Sequence, residues 1–428
     1  MHALRPSHNR GMQPVCGARG FFLLVVLLSL LAILAVLFVT SLASGGSKTQ
    51  RSASTAVALA KAKDALLAYA ITRDDPGRPG EFPCPTTFGP SAPTYGTAAS
   101  TCATVRIGRL PWRTLGIPEL LDSDGEPLWY AISNNFRPVV SKINSDSLGD
   151  LIVYAAGGTV VQANQVVAVI FSAGTPVAGQ VRNNATAFCA TTSTTIAANI
   201  CAANYLDSAS GRNNATNAGP YIADRSGATF NDQLTYITTA DFIPKIEDRI
   251  VTILTATLKN YYFLNTYYPY AANYSDYPWP NELNCANGKY AGRLPLYIAA
   301  PPHTGSPCTG LADWQPVGNP YGLPAWFTGN NWNSAIHYVV SKAFAPGGPK
   351  TCIPAGNCLS VDGDPNIPVV FIMPGIPTPT QTRPSGTANN YLEASANYED
   401  WPVPLNYSYV TTTSTLPSRD RVVAIKFP

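Results

Sequence analysis

Carboxylates gathered around glycine turns are the first residues in this sequence whose types and spacing could do chemistry. Asp122, Asp124 and Glu126 surround Gly125, and Asp362 and Asp364 flank Gly363. Oxygen ligands this close together in a turn can hold calcium. The EF-hand spacing is absent, because the glycine comes one place after the second Asp and no bidentate Glu follows at the required distance. A solvated turn leading into a strand is the other reading of the same residues. Histidine chemistry is nearly closed off by number: of four His, two lie in the first eight residues, leaving His303 and His337. His337 sits in an apolar strand pattern and reads as structural. Ser172 precedes Ala173-Gly174 at a strand end, but no G-x-S-x-G elbow surrounds it and neither His has a spacing that implicates it. There is no P-loop and no GxGxxG. The expectation is a chain that is not an enzyme and takes no cofactor other than calcium.

A second set of residues points to contact rather than catalysis. The segment 261–279 carries Tyr261, Tyr262, Phe263, Tyr267, Tyr268, Tyr270, Tyr274, Tyr277 and Trp279, and such rings offer large area with little rotamer entropy to lose. They could form a sugar- or protein-binding face, or pack a helix on its sheet. Trp314, Trp326 and Trp332 stand in a similar Gly/Asn/Pro context. Composition narrows the partners. In 428 residues, 46% are apolar and only 12% charged, which excludes disorder, and a net charge of +3 offers no basic surface for nucleic acid.

The elements that would position these residues begin with an anchor. Residues 21–42 (FFLLVVLLSLLAILAVLFVTSL) are uncharged, and at 1.5 Å per residue they reach about 33 Å, enough for a hydrocarbon core of about 30 Å. The run is too long for a signal-peptide core and lacks a clean small-residue cleavage site. Charge bias does not orient it, since Arg5, Arg10 and Arg19 precede it while Lys48 and Arg51 follow. The junction Arg19-Gly20-Phe21-Phe22-Leu23-Leu24-Val25 resembles the class III signal of type IV prepilins and type II secretion pseudopilins. That resemblance implies cleavage by prepilin peptidase after Gly20, methylation of Phe21, and a leader left in the cytoplasm. The chain would then sit in the bacterial inner membrane as a single-pass protein with a periplasmic C-terminus, before its helix (Phe22, Leu23, Leu24 and Val25 onward) enters a pilus or pseudopilus beside other pilin-like subunits.

One departure is informative. The family's fifth mature residue is usually Glu, thought to pair with a neighbour's terminal amine in the apolar filament core; here it is Val25. An unpaired buried charge is costly, so a subunit with none ahead of it can lose the Glu. The resemblance is therefore to K-type pseudopilins and tip-capping minor pilins, with a surface or secretion substrate as a further partner through the Tyr-rich segment. The alternative class is a periplasmic enzyme or ligand-binding protein on an uncleaved anchor. Of nine cysteines, Cys16 lies in the leader, so cleavage leaves an even set suited to an oxidising compartment. Neighbour pairing (Cys84–Cys102, Cys189–Cys201, Cys285–Cys308, Cys352–Cys358) is the simplest of 105 connectivities. No CxxC occurs, which weakens a zinc reading.

Beyond Ser44-Gly45-Gly46-Ser47, residues Leu59, Ala62, Leu66 and Tyr69 mark one face of a helix that stops at Asp75-Pro76-Gly77. Short strands follow at 107–112, 128–133, 150–156 and 166–174. The Asp-Gly turn before the aromatic strand, and VVAVIFSAG after it, resemble pseudopilin segments. The chain then repeats itself: GRLP at 108–111 and 292–295, LWYAISNNFRP (128–138) and IHYVVSKAFAP (336–346), VVAVIFSAGTP (166–176) and IPVVFIMPGIP (367–377), NYLDSAS (204–210) and NYLEASA (390–396), NDQLTYI (231–237) and RDRVVAI (419–425). Five collinear matches read as a duplication, and a second helical stripe (Ile246, Ile250, Ile253, Leu254, Leu258, Tyr261) stands where the second copy begins, with Thr239 and Pro244 at its start. The expected fold is α+β: a leader (1–20), a transmembrane and assembly helix (21–52) continuing into a pilin-like helix on an antiparallel sheet (53–240), and a second tandem pilin-like module (241–428).

Overall fold

The computed structural model describes residues 50–74, 77–87, 89, 92–138, 142–180, 182, 201–224, 227–265, 290–294, 323–345, 347–353, 356–385, 387–394, 397, 408–411 and 419–426. Contacts divide the chain into 1–56 and 57–428. Of the first unit only 50–56 is described, and it is helical. The second is one compact unit that contains most of both expected modules.

Helix α1 occupies 50–72. Its buried residues Leu59, Ala62, Leu66 and Ala70 fall at spacings of three and four, one stripe of the cylinder; Tyr69 is half-buried beside it. Two groups close the last turn, where helical carbonyls lack partners. Gly80 N donates to Ala70 O at 2.8 Å, and the Arg249 guanidinium donates to Ile71 O and Arg73 O at 3.3 and 2.8 Å. Helix α2 spans Thr239–Asn265. Thr238 precedes it and Asp241 is its third residue; the Asp241 carboxylate accepts from Thr238 N at 2.7 Å and Thr238 Oγ1 at 2.9 Å. That pairing is the return half of a capping box. Its buried stripe is Phe242, Ile243, Ile246, Ile250, Leu254, Leu258 and Tyr261, with Ile253 only partly covered. The helices run side by side in one direction, since Lys63 meets Asp241 at 3.2 Å and, further along both, Asp74 meets Arg249 at 2.8 Å.

The strands in chain order are β1 (Ile107–Arg109), β2 (Trp129–Ile132), β3 (Leu151–Ala155), β4 (Val160–Ser172), β5 (Ser208–Ala209), β6 (Arg212–Asn213), β7 (Tyr221–Ala223), β8 (Gln233–Thr238), β9 (Ala291–Arg293), β10 (His337–Val340), β11 (Leu359–Val361), β12 (Asp364–Ile367), β13 (Val369–Met373), β14 (Ser408–Tyr409) and β15 (Arg421–Ile425). Two antiparallel ladders organise them. In the first, β1 pairs β2, β2 pairs β4 and β4 pairs β8, with β3 and β7 added at one side. In the second, β9 pairs β10, β10 pairs β13 and β13 pairs β15.

The repeated segments occupy the same places in the same register. Arg109 faces Trp129 as Arg293 faces His337, and Gly108 faces Tyr130 as Gly292 faces Tyr338. Ile170 lies between Tyr130 and Thr235, as Phe371 lies between Tyr338 and Val423. Side chains alternate across a strand, so each ladder buries two faces. Tyr130 and Ile132 of β2, Tyr338 and Val340 of β10, and Val369, Phe371 and Met373 of β13 join both helices in one core. The opposite faces form two smaller clusters, covered by Ala202, Tyr205, Leu206 and Tyr221 on the first sheet and by Ala388, Tyr391, Leu392 and Tyr409 on the second. A register shift between Val166 and Ala168 is a β-bulge, and it explains why Val167 and Ala168 both face the helices.

The fold is α+β. Among the described residues no helix is long and apolar enough to cross a membrane; the run 21–42 and the junction at Gly20 and Phe21 lie outside them. The modules expected at 53–240 and 241–428 share a single core from residue 57 onward.

Candidate functional site

The acidic turn at 122–126 is a structural clamp. Asp122 is buried. Its Oδ1 accepts from Asp124 N and Glu126 N at 2.9 and 3.0 Å, and its Oδ2 accepts from Ser172 Oγ and Gly174 N at 2.7 and 3.0 Å. Those four donors tie the turn to the end of β4 and account for Ser172 as well. Glu126 turns to arginine, 3.3 Å from Arg182 and 3.9 Å from Arg109, while Asp124 is exposed. In the second half, Asp362 adopts φ +50° and accepts from Thr411 N and Oγ1 at 2.9 and 2.6 Å. Asp364 pairs with Lys426 at 2.5 Å; that hydrogen bond, with one from Asn366 N, holds its carboxyl below the usual range. Among the described residues no group of three or more His, Cys, Asp or Glu could hold a metal.

The site that most rewards attention is built twice. After β4 the chain turns through Gly174, Pro176 and Gln180 to Arg182; after β13 it turns at the same spacing through Gly375, Pro377 and Gln381 to Arg383. Gln180 Oε1 accepts from Val177 N at 3.2 Å and Arg182 at 2.7 Å, as Gln381 Oε1 accepts from Thr378 N at 3.0 Å and Arg383 at 2.7 Å. Arg182 donates to the carbonyls of Gly174 (2.5 Å), Ala173 (3.1 Å) and Tyr205 (3.4 Å). Arg383 donates to those of Gly375 (2.8 Å), Pro374 (3.3 Å), Tyr391 (2.6 Å) and Asn390 (2.7 Å). Each guanidinium stands over a tyrosine ring, Tyr205 at 5.1 Å and Tyr391 at 5.0 Å. Five planar donors suit such a cluster of carbonyls, which lysine could not satisfy.

The two tyrosines belong to straps that cover the outer sheet faces, each opening with a short 3-10 turn, Ala202–Asn204 and Ala388–Asn390. Each strap is clasped by a pair of acids. Asp207 N donates to Asp232 Oδ2 at 2.8 Å, and Asn231 N donates back to Asp207 Oδ2 at 2.7 Å. In the second half Glu393 N donates to both Asp420 oxygens at 3.0 Å, and Arg419 N donates back to Glu393 Oε2 at 2.5 Å. Asn214 and Asn397 each donate to the clasp and each accept from a backbone N–H, of Ile222 and Val410. Gly174 and Gly375 have φ of +55° and +62°, and a Cβ there would come within 3.1 Å of Asn231 and 3.0 Å of Arg419. Behind the nodes lie Arg109 and Arg293, both buried. Arg109 is held between Trp129 and Tyr205 at 4.3 and 4.2 Å, and burial lowers its affinity for the proton against the pull of Tyr205, Tyr95 and Glu126. Arg293 lies 5.5 Å from the Tyr391 ring, beside His337. Burial, then Arg293, pushes the His337 imidazole down to about 3, so this histidine is a neutral structural group.

The copies differ in what seals them. Gly174 N finds Asp122, whereas Gly375 N finds Glu247 of α2 at 3.2 Å. Where Arg182 has Glu126, Arg383 has Asp146 of the first half at 3.9 Å, and Tyr391 Oη donates to Asp146 Oδ2 at 3.3 Å. The loop carrying Asp146 is further tied across the seam, with Ile143 N donating to Asn330 Oδ1 at 3.0 Å and Asn144 Nδ2 to Asn330 O at 2.9 Å.

Of the other expected residues, Cys84–Cys102 and Cys352–Cys358 are disulfides, and Cys201 is also disulfide-bonded. Cys189, Cys285, Cys308, His303, Trp314 and the Tyr-rich stretch from Tyr267 to Trp279 lie outside the described residues, as do Gly20, Phe21, Phe22, Leu23, Leu24 and Val25. From the start of that stretch, Tyr261 is buried on α2 and Tyr262 packs on Phe344 with ring centroids 5.9 Å apart. Trp326 donates from Nε1 to Asp74 at 2.7 Å, and Trp332 is buried. Sequence reasoning missed Gln180, Arg182, Gln381, Arg383, Asn214, Asn397, Asp146 and Glu247. The offset of 201 that matches Gly174 to Gly375 also matches Gln180 to Gln381 and Arg182 to Arg383, so extending that match six to eight residues would have found four of them. Comparison with known proteins gives no matching family model, curated protein or solved structure.

Proposed function

We propose that the chain is a minor, tip or initiation subunit of a type IV pilus or type II secretion pseudopilus, processed by prepilin peptidase and assembled through its apolar N-terminal helix. The observation that carries the reading is the junction Arg19-Gly20-Phe21 opening 22 uncharged residues, with Val25 where a shaft subunit carries Glu. Disulfides at Cys84–Cys102 and Cys352–Cys358 suit an exported domain. The reading rests on sequence, and the coarse α+β architecture is compatible with it.

The N-terminal mass of the purified native chain tests it. A chain beginning with N-methylated Phe21 is expected, and Gly20→Val should leave the leader in place. An intact Met1 terminus would replace the reading with an ectodomain on an uncleaved anchor.

A further inference from the structure

We propose that the segment 201–209 is a proton-held strap: when it is closed Asp207 and Asp232 keep one proton between them, and losing that proton releases it from the outer face of the first sheet. The inference is independent of the filament reading.

The geometry favours a proton on the pair. Both carboxyls are buried, at 4% and 3% exposure. Asp207 uses Oδ2 on Asn231 N and Oδ1 on Gln180 Nε2 at 2.6 Å; Asp232 uses Oδ2 on Asp207 N and on Asn214 Nδ2. Asp232 Oδ1 receives no donor among the described residues, and the two side chains adjoin, since Asp207 N donates to Asp232 Oδ2 at 2.8 Å. Two adjoining carboxylates in a low-dielectric site do not both ionise readily. A proton on Asp232 Oδ1 removes the repulsion between the two carboxylates. The other groups facing the pair are Arg182 from the turn after β4 and the neutral amides of Gln180, Asn214 and Asn231. Arg182 is already engaged by three carbonyls and Glu126. Burial first, then the Asp207 charge, pushes Asp232 up to about 8.

The direction follows from linkage. An acid that binds its proton more tightly in the closed state than in the open one favours closure at low pH. That advantage is lost as pH rises from the ordinary carboxylate value toward about 8. Opening lifts Ala202, Tyr205 and Leu206 off Trp129, Val169 and Phe171, baring an apolar sheet face.

Hydrogen exchange of the full chain in detergent micelles, read from pH 5 to 9 and corrected for intrinsic exchange, tests this. Opening measured on peptides covering 201–209 should increase about tenfold per pH unit between pH 5 and 7 and level off above about pH 8. Peptides of β4 should not follow it. Asp232→Asn should flatten the slope, and Asp207→Asn, which removes the like charge while keeping the side chain's shape, should reduce it if the first variant does not fold. Strap exchange independent of pH, the same slope in β4, or a slope unchanged in the variants would overturn the proposal.

Discussion

Replacing Arg383 with methionine is the sharpest way to ask whether the second node holds the two halves together. The side chain is wholly inaccessible. Its loss would leave four backbone carbonyls (Pro374, Gly375, Asn390 and Tyr391) and Gln381 Oε1 short of a donor, and would leave Asp146 without its cation at 3.9 Å. Each buried acceptor left bare costs about 1–3 kcal/mol, and an orphaned buried charge about 3–5. Water and local relaxation recover part of this, so Arg383→Met should destabilise by about 4 kcal/mol. Asp146→Asn keeps the shape and an acceptor for Tyr391, and should cost about 1–2 kcal/mol. The double variant should lose about 2 kcal/mol less than the sum, because no charge is then stranded. Arg182→Met should be as severe as Arg383→Met but additive with Asp146→Asn within about 0.5 kcal/mol, since its carboxylate is Glu126 at 3.3 Å. Burial already pushes the Asp146 carboxyl up against the opposing pull of Arg383 and Tyr391, so an orphaned Asp146 takes up a proton and the coupling should shrink at pH 5. Urea unfolding of the three single variants and the two double variants measures all of this. Additivity in the Arg383 cycle, or equal coupling of Asp146 to Arg182, would refute the seam.

Two further outcomes test the helix that both halves share. Burial pushes the Glu247 carboxyl up to about 8, against the Gly375 N–H, Arg421 and Arg383; an acid raised on folding stabilises most at low pH, so the urea midpoint should fall between about pH 5 and 8, and Glu247→Gln should flatten that decline. Asp241 behaves oppositely: burial would raise it, but the bonds from Thr238 and Lys63 outweigh that and hold it below the ordinary value, so its contribution is present above that value and lost as pH falls through the lowered one. Asp241→Ala should cost about 1 kcal/mol at pH 7, discounted for its partial exposure, and much less at pH 2.5.

Both helices and strands β1 to β4 were legible because their signals are local. Leu59, Ala62 and Leu66, and Ile246 through Tyr261, follow the helical period and are buried on it; the apolar run 166–171 lies within a strand buried on both faces. The calcium reading of Asp122 shows the opposite case. Its spacing is visible in sequence, but only two of the four donors on its oxygens, Asp124 N and Glu126 N, are local; Ser172 Oγ and Gly174 N lie 50 and 52 residues away. Arg383 was illegible for the same reason, since an arginine in a Pro- and Thr-rich stretch reads as a surface loop until Asp146, 237 residues earlier, is known to face it.

The two ladders share one core, yet the connections within them differ in length. Arg109 and Trp129 are 20 residues apart, whereas Arg293 and His337 are 44 apart; Trp129 to Phe171 is 42, and His337 to Ile372 is 35. The connections differ in length while the facing residues keep one register, as expected when strands are fixed by facing side chains and loops are not. The seals were not preserved in the same way. The first node closes with Asp122 and Glu126 from its own half, but the second takes Glu247 from α2 and Asp146 from the first half. With α1 and α2 capped and paired to each other through Arg249 and Lys63, separating the halves would strip an apolar face from both helices and unseat Arg383 at once. The second node is therefore sealed by groups from α2 and from the first half.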